Sequence, residues 1–330
     1  MDHNKENELI FKPAWWLPGP HLQTLWPTLC RPRFHPIALK RERLELKDGD
    51  FIDLDWSNPG NAQYKNTIVL LLHGLEGSIN SPYAKGMMFA LERLGFRSVF
   101  MHFRGCSGDL NRHSRMYHSG ETEDLREVIE MLQKREKCHR IGVIGFSLGG
   151  NVLMKFLGEG ELNASLSAAV GISVPFELSK ASFRVTQGFS RIYQQYFMRS
   201  LKKKVIKKFL TLPPPFELSI IKKLNSLRDF DDKVTAPLHG FLDADDYYNK
   251  SSCRQFLKNI TVPTLLLNSK DDPLMTSDIF PEDNEMSSQI KLELTQSGGH
   301  VGFVSGEIPG KAEYWLEKRA PAFLKEYLTT

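Results

Sequence analysis

The stretch RIGVIGFSLGGNVLMKFL, residues 140–157, joins an apolar run to a helix-like run through Gly145-Phe146-Ser147-Leu148-Gly149, and its reading decides the fold. An unbroken apolar run over 140–146 suits a strand buried on both faces, as strands of parallel sheets are. If a helix over 148–158 follows at once, Ser147 alone makes the reversal and is forced into strained backbone angles. Glycines two residues to either side remove β-carbons that would collide at such a turn. This is the pattern of a nucleophile elbow, which holds a serine hydroxyl above the sheet at the amino end of the next helix. An anion forming beside Ser147 would meet unpaired backbone N–H groups and the positive helix end.

The same rhythm extends in both directions. Upstream, RLELKD and FIDLDW flank Gly49 and Asp50 and predict a β-hairpin. Strands are then expected at 67–74 and 96–105, alternating with helices at 82–95 and 121–136; the second helix carries acids in its first turn, where the helix dipole favours them. Downstream, a strand at 165–174 closes the first alternating series, and a second resumes with a strand at 262–269. A helical stretch near 277–288, a strand at 290–296 and a final helix at 311–328 complete it. Such alternation implies an α/β fold: a mostly parallel central sheet with helices on both faces. Residues 176–250 break the rhythm with helix-like pieces rich in Phe, Tyr and Lys. The expected organisation is an arm over 1–40, a core made of 41–175 and 251–330, and a helical cap inserted at 176–250 over the carboxyl ends of the strands, where such sheets bind ligands.

A serine hydroxyl is a weak nucleophile, so it needs a base, and the base needs a third group to hold its tautomer. His300, after the last strand in LTQSGGHVGF, is the base that fits the chain order Ser…Asp…His. The acid is expected after the preceding strand, in LLLNSKDDPLM. Of its two neighbours, Asp272 is favoured over Asp271, because Pro273 keeps Asp272 extended at the strand exit. Leu148 supplies one oxyanion N–H and Leu75, in HGLEGS, the second; His73 is expected to brace that loop. Gly74, Arg104 and Phe146 sit at the same sheet end as candidate substrate-loop residues, although for Arg104 bracing its own loop is the simpler role.

Composition narrows the rest. The 330 residues are 41% hydrophobic, enough for one large core, and 43 basic against 39 acidic residues leave +4, too balanced a charge for a nucleic-acid footprint. No apolar run is long enough to span a bilayer and the start is polar, so a cytoplasmic protein is expected. Cys30, Cys106, Cys138 and Cys253 lack metal or disulfide spacing, and His113 and His118 are not spaced as a helical metal pair. No metal or cofactor is expected.

GFSLGGN, HGLEGS, HFRGCSG, YHSGETED and NSKDDPL…GGHVGF, together with GPHLQTLWP and RERLELKDGDFIDLDW, resemble the YheT-like group of α/β-hydrolases over nearly the whole chain. Asp109 stands where that group commonly has Glu. The resemblance implies an α/β-hydrolase fold and a hydrolase whose triad is Ser147, one Asp of the 271/272 pair and His300; relatives include esterases, lipases and ester synthases.

The expected activity is therefore cleavage of carboxylic esters of short- to medium-chain acyl groups or lipids, through an acyl-enzyme on Ser147. An acyltransferase with an alcohol acceptor and a silent binding module are the alternatives. Two features of the cap bear on substrate and surface. SLKKKVIKKFL, 200–210, sets Leu201, Val205, Ile206, Phe209 and Leu210 on one helical face, with Lys202, Lys203, Lys204, Lys207 and Lys208 largely opposite. A solvated lysine face explains this pattern, and transient contact with an anionic lipid surface is its second reading. Phe183, Phe189, Tyr193, Tyr196 and Phe197 are candidates to line an acyl pocket or to pack the cap. His21 is expected to anchor the amino-terminal arm.

Overall fold

The computed structural model describes residues 10–31, 37–57, 63–160 and 165–329. The expected arm at 1–40 thus falls partly outside the described residues. Eight strands form one sheet: β1 Leu39–Glu45, β2 Phe51–Ser57, β3 Tyr64–Leu72, β4 Phe96–Met101, β5 Arg140–Phe146, β6 Leu166–Ile172, β7 Thr264–Ser269 and β8 Ile290–Thr295. Their order is β1-β2-β4-β3-β5-β6-β7-β8. The hairpin β1–β2 is antiparallel and β2 pairs antiparallel with β4, whereas β3 to β8 run parallel. From β3 the chain first adds β4 on one side and then returns to place β5 on the other. That reversal opens a crevice at the carboxyl ends of β3 and β5.

The apolar runs follow from the two-sided covering. In β3, Ile68, Leu70 and Leu72 enter one core while Val69 and Leu71 enter the other. The first core is closed by α3 (Glu123–Arg135) and α4 (Leu148–Gly158), the second by α2 (Ala84–Arg93) and a carboxyl-terminal helix, Leu316–Leu328. Each strand residue therefore loses water whichever way it points, and the polar/apolar alternation of a half-exposed strand disappears. Helix α1, Pro20–Leu29, lies against the loop before a short strand, β9 Val304–Ser305, with Gln23 buried between them.

Two expected elements differ. The helix near 277–288 reduces to one short turn, Asp283–Glu285, because Pro281 has no N–H to donate and blocks the preceding turn. The last helix starts at Leu316 rather than 311, since Glu313–Tyr314 (β10) pair with β9 instead.

Between β6 and β7 the chain forms α5 Leu178–Arg184, α6 Arg191–Lys208, an interrupted helix α7 (Leu227–Phe230 and Ala236–His239 around a π-helical turn, Asp231–Thr235) and α8 Ala244–Ser251. These helices gather a small core of their own, including Met198, Leu201, Val205, Ile221, Phe230 and Val234. Among the described residues, no helix is long and apolar enough to cross a membrane.

The lysine face of α6 divides differently from the expectation. Lys202, Lys203 and Lys207 are not buried, but Lys208 is 1% exposed and donates to the Asn111 side chain at 2.7 Å, and Lys204 turns inward to Glu76. The loops of the core offer acceptors on that side, and a long lysine stem can cross apolar surface to reach them. The expected aromatic lining also splits: Phe183, Phe189 and Tyr196 are exposed, Tyr193 is buried against His21, and Phe197 faces the cavity described below.

Candidate active site

Ser147 has φ 51° and ψ −116°, a strained combination for a residue with a side chain. The elbow closes because its glycines have no substitute. A β-carbon on Gly149 would lie 2.6 Å from the His73 carbonyl oxygen, and one on Gly145 would lie 2.4 Å from that of Gly149. The Ser147 N–H donates to the Ile172 carbonyl at 2.8 Å, tying the turn to the end of β6.

The Ser147 Oγ is 2.9 Å from His300 Nε2, and His300 Nδ1 is 2.7 Å from Asp272 Oδ2. A proton on Nδ1 satisfies the carboxylate and leaves Nε2 to accept from the serine hydroxyl. Asp272 is buried and takes a second hydrogen bond, from the Leu274 N–H to Oδ1 at 2.8 Å, so both its oxygens are held. Asp271 accepts instead from the Gly299 N–H at 2.9 Å and does not reach the imidazole in this arrangement. The two neighbours thus divide the work: one meets the ring, the other holds the loop that carries it.

That loop, 298–302, is gripped from several sides. The His300 N–H donates to Thr24 Oγ1 at 2.9 Å, the Val301 N–H to Ser173 Oγ at 2.9 Å, and Ser269 Oγ donates to the Gly299 carbonyl at 2.9 Å. Sequence reasoning missed Thr24, Ser173 and Ser269. The first lies in GPHLQTLWP, where attention went to His21, which is only partly buried and bonds Tyr193 at 3.1 Å.

Leu148 opens α4, so its N–H belongs to the first turn, which has no intrahelical acceptor. Leu75 lines the same cavity as Leu148, Ser147 and His300. The segment around Leu75 is held by side chains: the Gly74 N–H donates to Tyr83 Oη at 2.9 Å and the Glu76 N–H to Tyr117 Oη at 2.8 Å. A β-carbon at Gly74 would come 3.2 Å from the Ser147 β-carbon, so this loop passes directly beside Ser147. His73 braces it as expected. The Phe103 N–H donates to its Nε2 at 3.1 Å, Nδ1 bonds the Gly74 carbonyl at 2.7 Å, and burial pushes its pKa down to about 3, so it stays neutral.

Glu76 was not singled out from sequence. It has φ 56°, and its carboxylate accepts from Tyr117 Oη at 2.8 Å, Ser200 Oγ at 2.5 Å and Lys204 Nζ at 2.6 Å. The last two come from α6, so one carboxylate joins the Leu75 loop to the inserted helices. Lys204 also lies 3.1 Å from Cys106 Sγ.

Two substrate-loop candidates stand away from the cavity. Arg104 is buried and saturated by Asp124, at 2.6 and 2.8 Å, and by Asp48 and Asp50, at 2.7 and 3.1 Å. Its charge is matched by three carboxylates, two buried and one exposed, so it braces its loop. Phe146 is fully buried and stacks on Tyr83 at 4.1 Å, supporting the elbow from below.

Above the Ser147–His300 pair, between the sheet end and the inserted helices, lies a cavity partly open to solvent and lined by apolar residues such as Leu178, Val185, Leu201, Phe230 and Val234. Among the described residues no cluster of three or more His, Cys, Asp or Glu side chains could hold a metal ion.

Comparison with known proteins places these observations. A sequence family described as alpha/beta hydrolase fold matches residues 67–307. YheT of Escherichia coli (strain K12), which carries the name of an esterase, is 44% identical over 93% of this chain and 91% of its own. Phospholipase ABHD3 of Homo sapiens is 30% identical, covering 87% of this chain and 73% of its own. Among solved structures, the Pyrococcus furiosus esterase Pf2001 superposes with a TM-score of 0.57 at 19% identity, over 90% of this chain and 97% of that one, a likeness of fold.

Proposed function

Because the chain belongs to the α/β-hydrolase fold family, we propose that it is a serine hydrolase of carboxylic esters, with Ser147 as nucleophile, His300 as general base and acid, and Asp272 as the residue that orients His300. The observation that carries this reading is the file Asp272 Oδ2–His300 Nδ1 at 2.7 Å and His300 Nε2–Ser147 Oγ at 2.9 Å, opening into an apolar cavity. Ser147 Oγ attacks the ester carbonyl as its proton passes to His300 Nε2. The Leu148 and Leu75 N–H groups receive the charge that develops on the carbonyl oxygen. The imidazolium, steadied by the buried Asp272 carboxylate, then returns the proton to the leaving alcohol, and water repeats the sequence on the acyl-enzyme.

The helices between β6 and β7 act as the cap that roofs the acyl site, with the core on either side of them in sequence. Substrates are small-molecule or lipid esters; a name such as esterase or phospholipase among relatives supports the ester class, and the apolar lining supports an acyl chain. Phe183, Phe189 and Tyr196, exposed on the cap, suit transient contact with a lipid surface.

Incubation with a fluorophosphonate, followed by intact-mass measurement and peptide mapping, tests the assignment. One adduct on Ser147, absent in Ser147→Ala, together with loss of esterase turnover in that variant, is the expected result. Full turnover by purified Ser147→Ala would overturn it.

A further inference from the structure

The active-site cavity is apolar along most of its wall, yet part of its lining is polar. Ser182, Thr235, Tyr248, Asp231, His239 and His118 all face it. Four of them are joined by hydrogen bonds, and the two histidines are in ring contact with each other. Asp231 Oδ1 accepts from Thr235 Oγ1 at 2.7 Å and Oδ2 from Tyr248 Oη at 2.8 Å, while Tyr248 Oη is 3.0 Å from Ser182 Oγ. The His118 and His239 rings are 4.4 Å apart, and His118 meets the neighbouring Tyr247 ring at 5.7 Å. None of these side chains belongs to the Ser147–His300–Asp272 file.

Three features set this group apart from ordinary packing of the cap. Among the described residues no lysine or arginine pairs with Asp231, although its surroundings are dry enough to push its pKa up to about 6; two hydroxyl donors occupy only part of its accepting capacity. His239 Nε2 is buried with no hydrogen-bond partner, and burial pushes the pKa of that ring down to about 2, so it is neutral. Asp231 and Thr235 begin and end the π-helical turn that interrupts α7, a geometry that recurs at functional sites. A neutral imidazole with an unpartnered nitrogen and a carboxylate with spare lone pairs, on residues that line one cavity, form an incomplete hydrogen-bond set. A ligand hydroxyl adds to it by donating its one proton to Asp231 and accepting from the imidazole N–H of His239.

We propose that this part of the cap is a second recognition site, which binds a hydroxyl group at the far end of the ester substrate while Ser147 holds the carbonyl. The proposal rests on the reading of the cavity as the ester site of Ser147. The hydroxyl is carried by the acyl chain or by the alkoxy chain, and the two arms of the test separate these. The substrate class is thus an ester whose chain ends in a hydroxyl rather than a methyl group.

The sign of the preference is diagnostic. In a wholly apolar cavity a terminal hydroxyl weakens binding, because it loses its hydrogen bonds to water without replacement. At a site built to bond it, the hydroxyl strengthens binding and the methyl analogue leaves polar groups unpaired. Equilibrium binding is measured on Ser147→Ala protein, which has no turnover, with methyl ω-hydroxyoctanoate against methyl octanoate, and with ω-hydroxyoctyl acetate against octyl acetate. In one of the two pairs the hydroxyl compound should bind about tenfold tighter or better. Adding Asp231→Asn or, separately, Thr235→Val should cut that ratio severalfold, and far-ultraviolet circular dichroism shows whether each variant is folded. Tighter binding of the methyl-terminated ester in both pairs overturns the proposal, as does a hydroxyl preference that both folded variants retain. A preference for ω-ammonio over ω-hydroxy esters also overturns it, by showing a cation site. These binding results stand apart from turnover: an absence of any esterase activity in the wild-type protein would count against the proposed function instead.

Discussion

Replacing Lys204 by Met should slow the chemistry as well as loosen the fold. Lys204 and Glu76 are a nearly dry ion pair, their side chains 12% and 3% exposed and 2.6 Å apart. Removing one partner of a buried pair typically costs about 3–5 kcal/mol, because the other charge remains without compensation. Glu76 would keep the Tyr117 and Ser200 hydroxyls, so the lower end, about 3 kcal/mol, is expected. Glu76 also holds a left-handed backbone at φ 56°, a conformation that costs on the order of 1–3 kcal/mol and persists only while its surroundings hold it. With one of the three partners of the Glu76 carboxylate gone, the Leu75–Glu76 turn is held less tightly and the Leu75 N–H can shift away from the oxyanion. Complete loss of one such donor lowers kcat about 10²- to 10³-fold, which sets the ceiling; a misaligned donor should lower it about 10- to 100-fold. The assay is steady-state hydrolysis of a soluble ester, with rates divided by sites titrated to completion with fluorophosphonate, so unfolded protein does not count. Urea unfolding runs in parallel. Glu76→Gln combined with Lys204→Met should cost less than the two single changes added together, since the double variant strands no charge. If kcat per titrated site is unchanged in Lys204→Met while stability falls, the pair supports the fold alone and its link to the oxyanion donor is wrong.

Asp272→Asn should lower kcat about 10⁴-fold by presenting the wrong tautomer of His300, whereas Asp271→Ala, which removes only the acceptor for the Gly299 N–H, should cost about tenfold or less; the reverse order in an ester assay would exchange their roles. Acidification should destabilise the protein: His73 and His118 have folded pKa values near 3 against 6.5 for an ordinary histidine, so the folded state binds fewer protons than the unfolded. Each contributes stability that is full above pH 6.5 and falls by about 1.4 kcal/mol per pH unit below it, while Asp231, raised to about 6, acts in the opposite sense between its folded and ordinary values. Urea midpoints that stay level between about pH 6.5 and pH 5 would contradict the net direction. Gly149→Ala should cost at least about 3 kcal/mol, because its β-carbon would meet the His73 and Leu72 backbone oxygens at 2.6 and 2.7 Å; a thermal midpoint within a few degrees of the wild type would refute the steric reading of the elbow.

The elbow and the strand-helix order were legible because each rests on local chemistry: an apolar run buried from both sides, glycines at fixed offsets, acids in a first helical turn. Strand 140–146 and helix 148–158 match their expected limits. Asp272, which meets His300, was favoured over Asp271 through the restriction that Pro273 imposes. Contacts between distant segments were not legible. Thr24 reaches His300 across 276 residues of sequence, and Glu76 meets Lys204 across 128. Nothing near Lys204 or Lys208 in the sequence distinguishes them from Lys203 and Lys207, since their inward course is set by acceptors on loops that the chain laid down earlier. The helix expected near 277–288 is absent for a different reason: Pro281, inside that stretch, cannot donate to the preceding turn.

The hydrogen bond from the His300 N–H to Thr24 ties the order of synthesis to the onset of reactivity. As the chain leaves the ribosome, the elbow emerges with its hydroxyl while the imidazole that must deprotonate it is still 153 residues away. The segment that carries Thr24 emerges earlier still, and it can grip the His300 loop only after a further 276 residues have been made. On the proposed reading, a nascent polypeptide carries Ser147 without its base for at least the 153 residues that separate them, and it becomes reactive only when Thr24 and His300 meet.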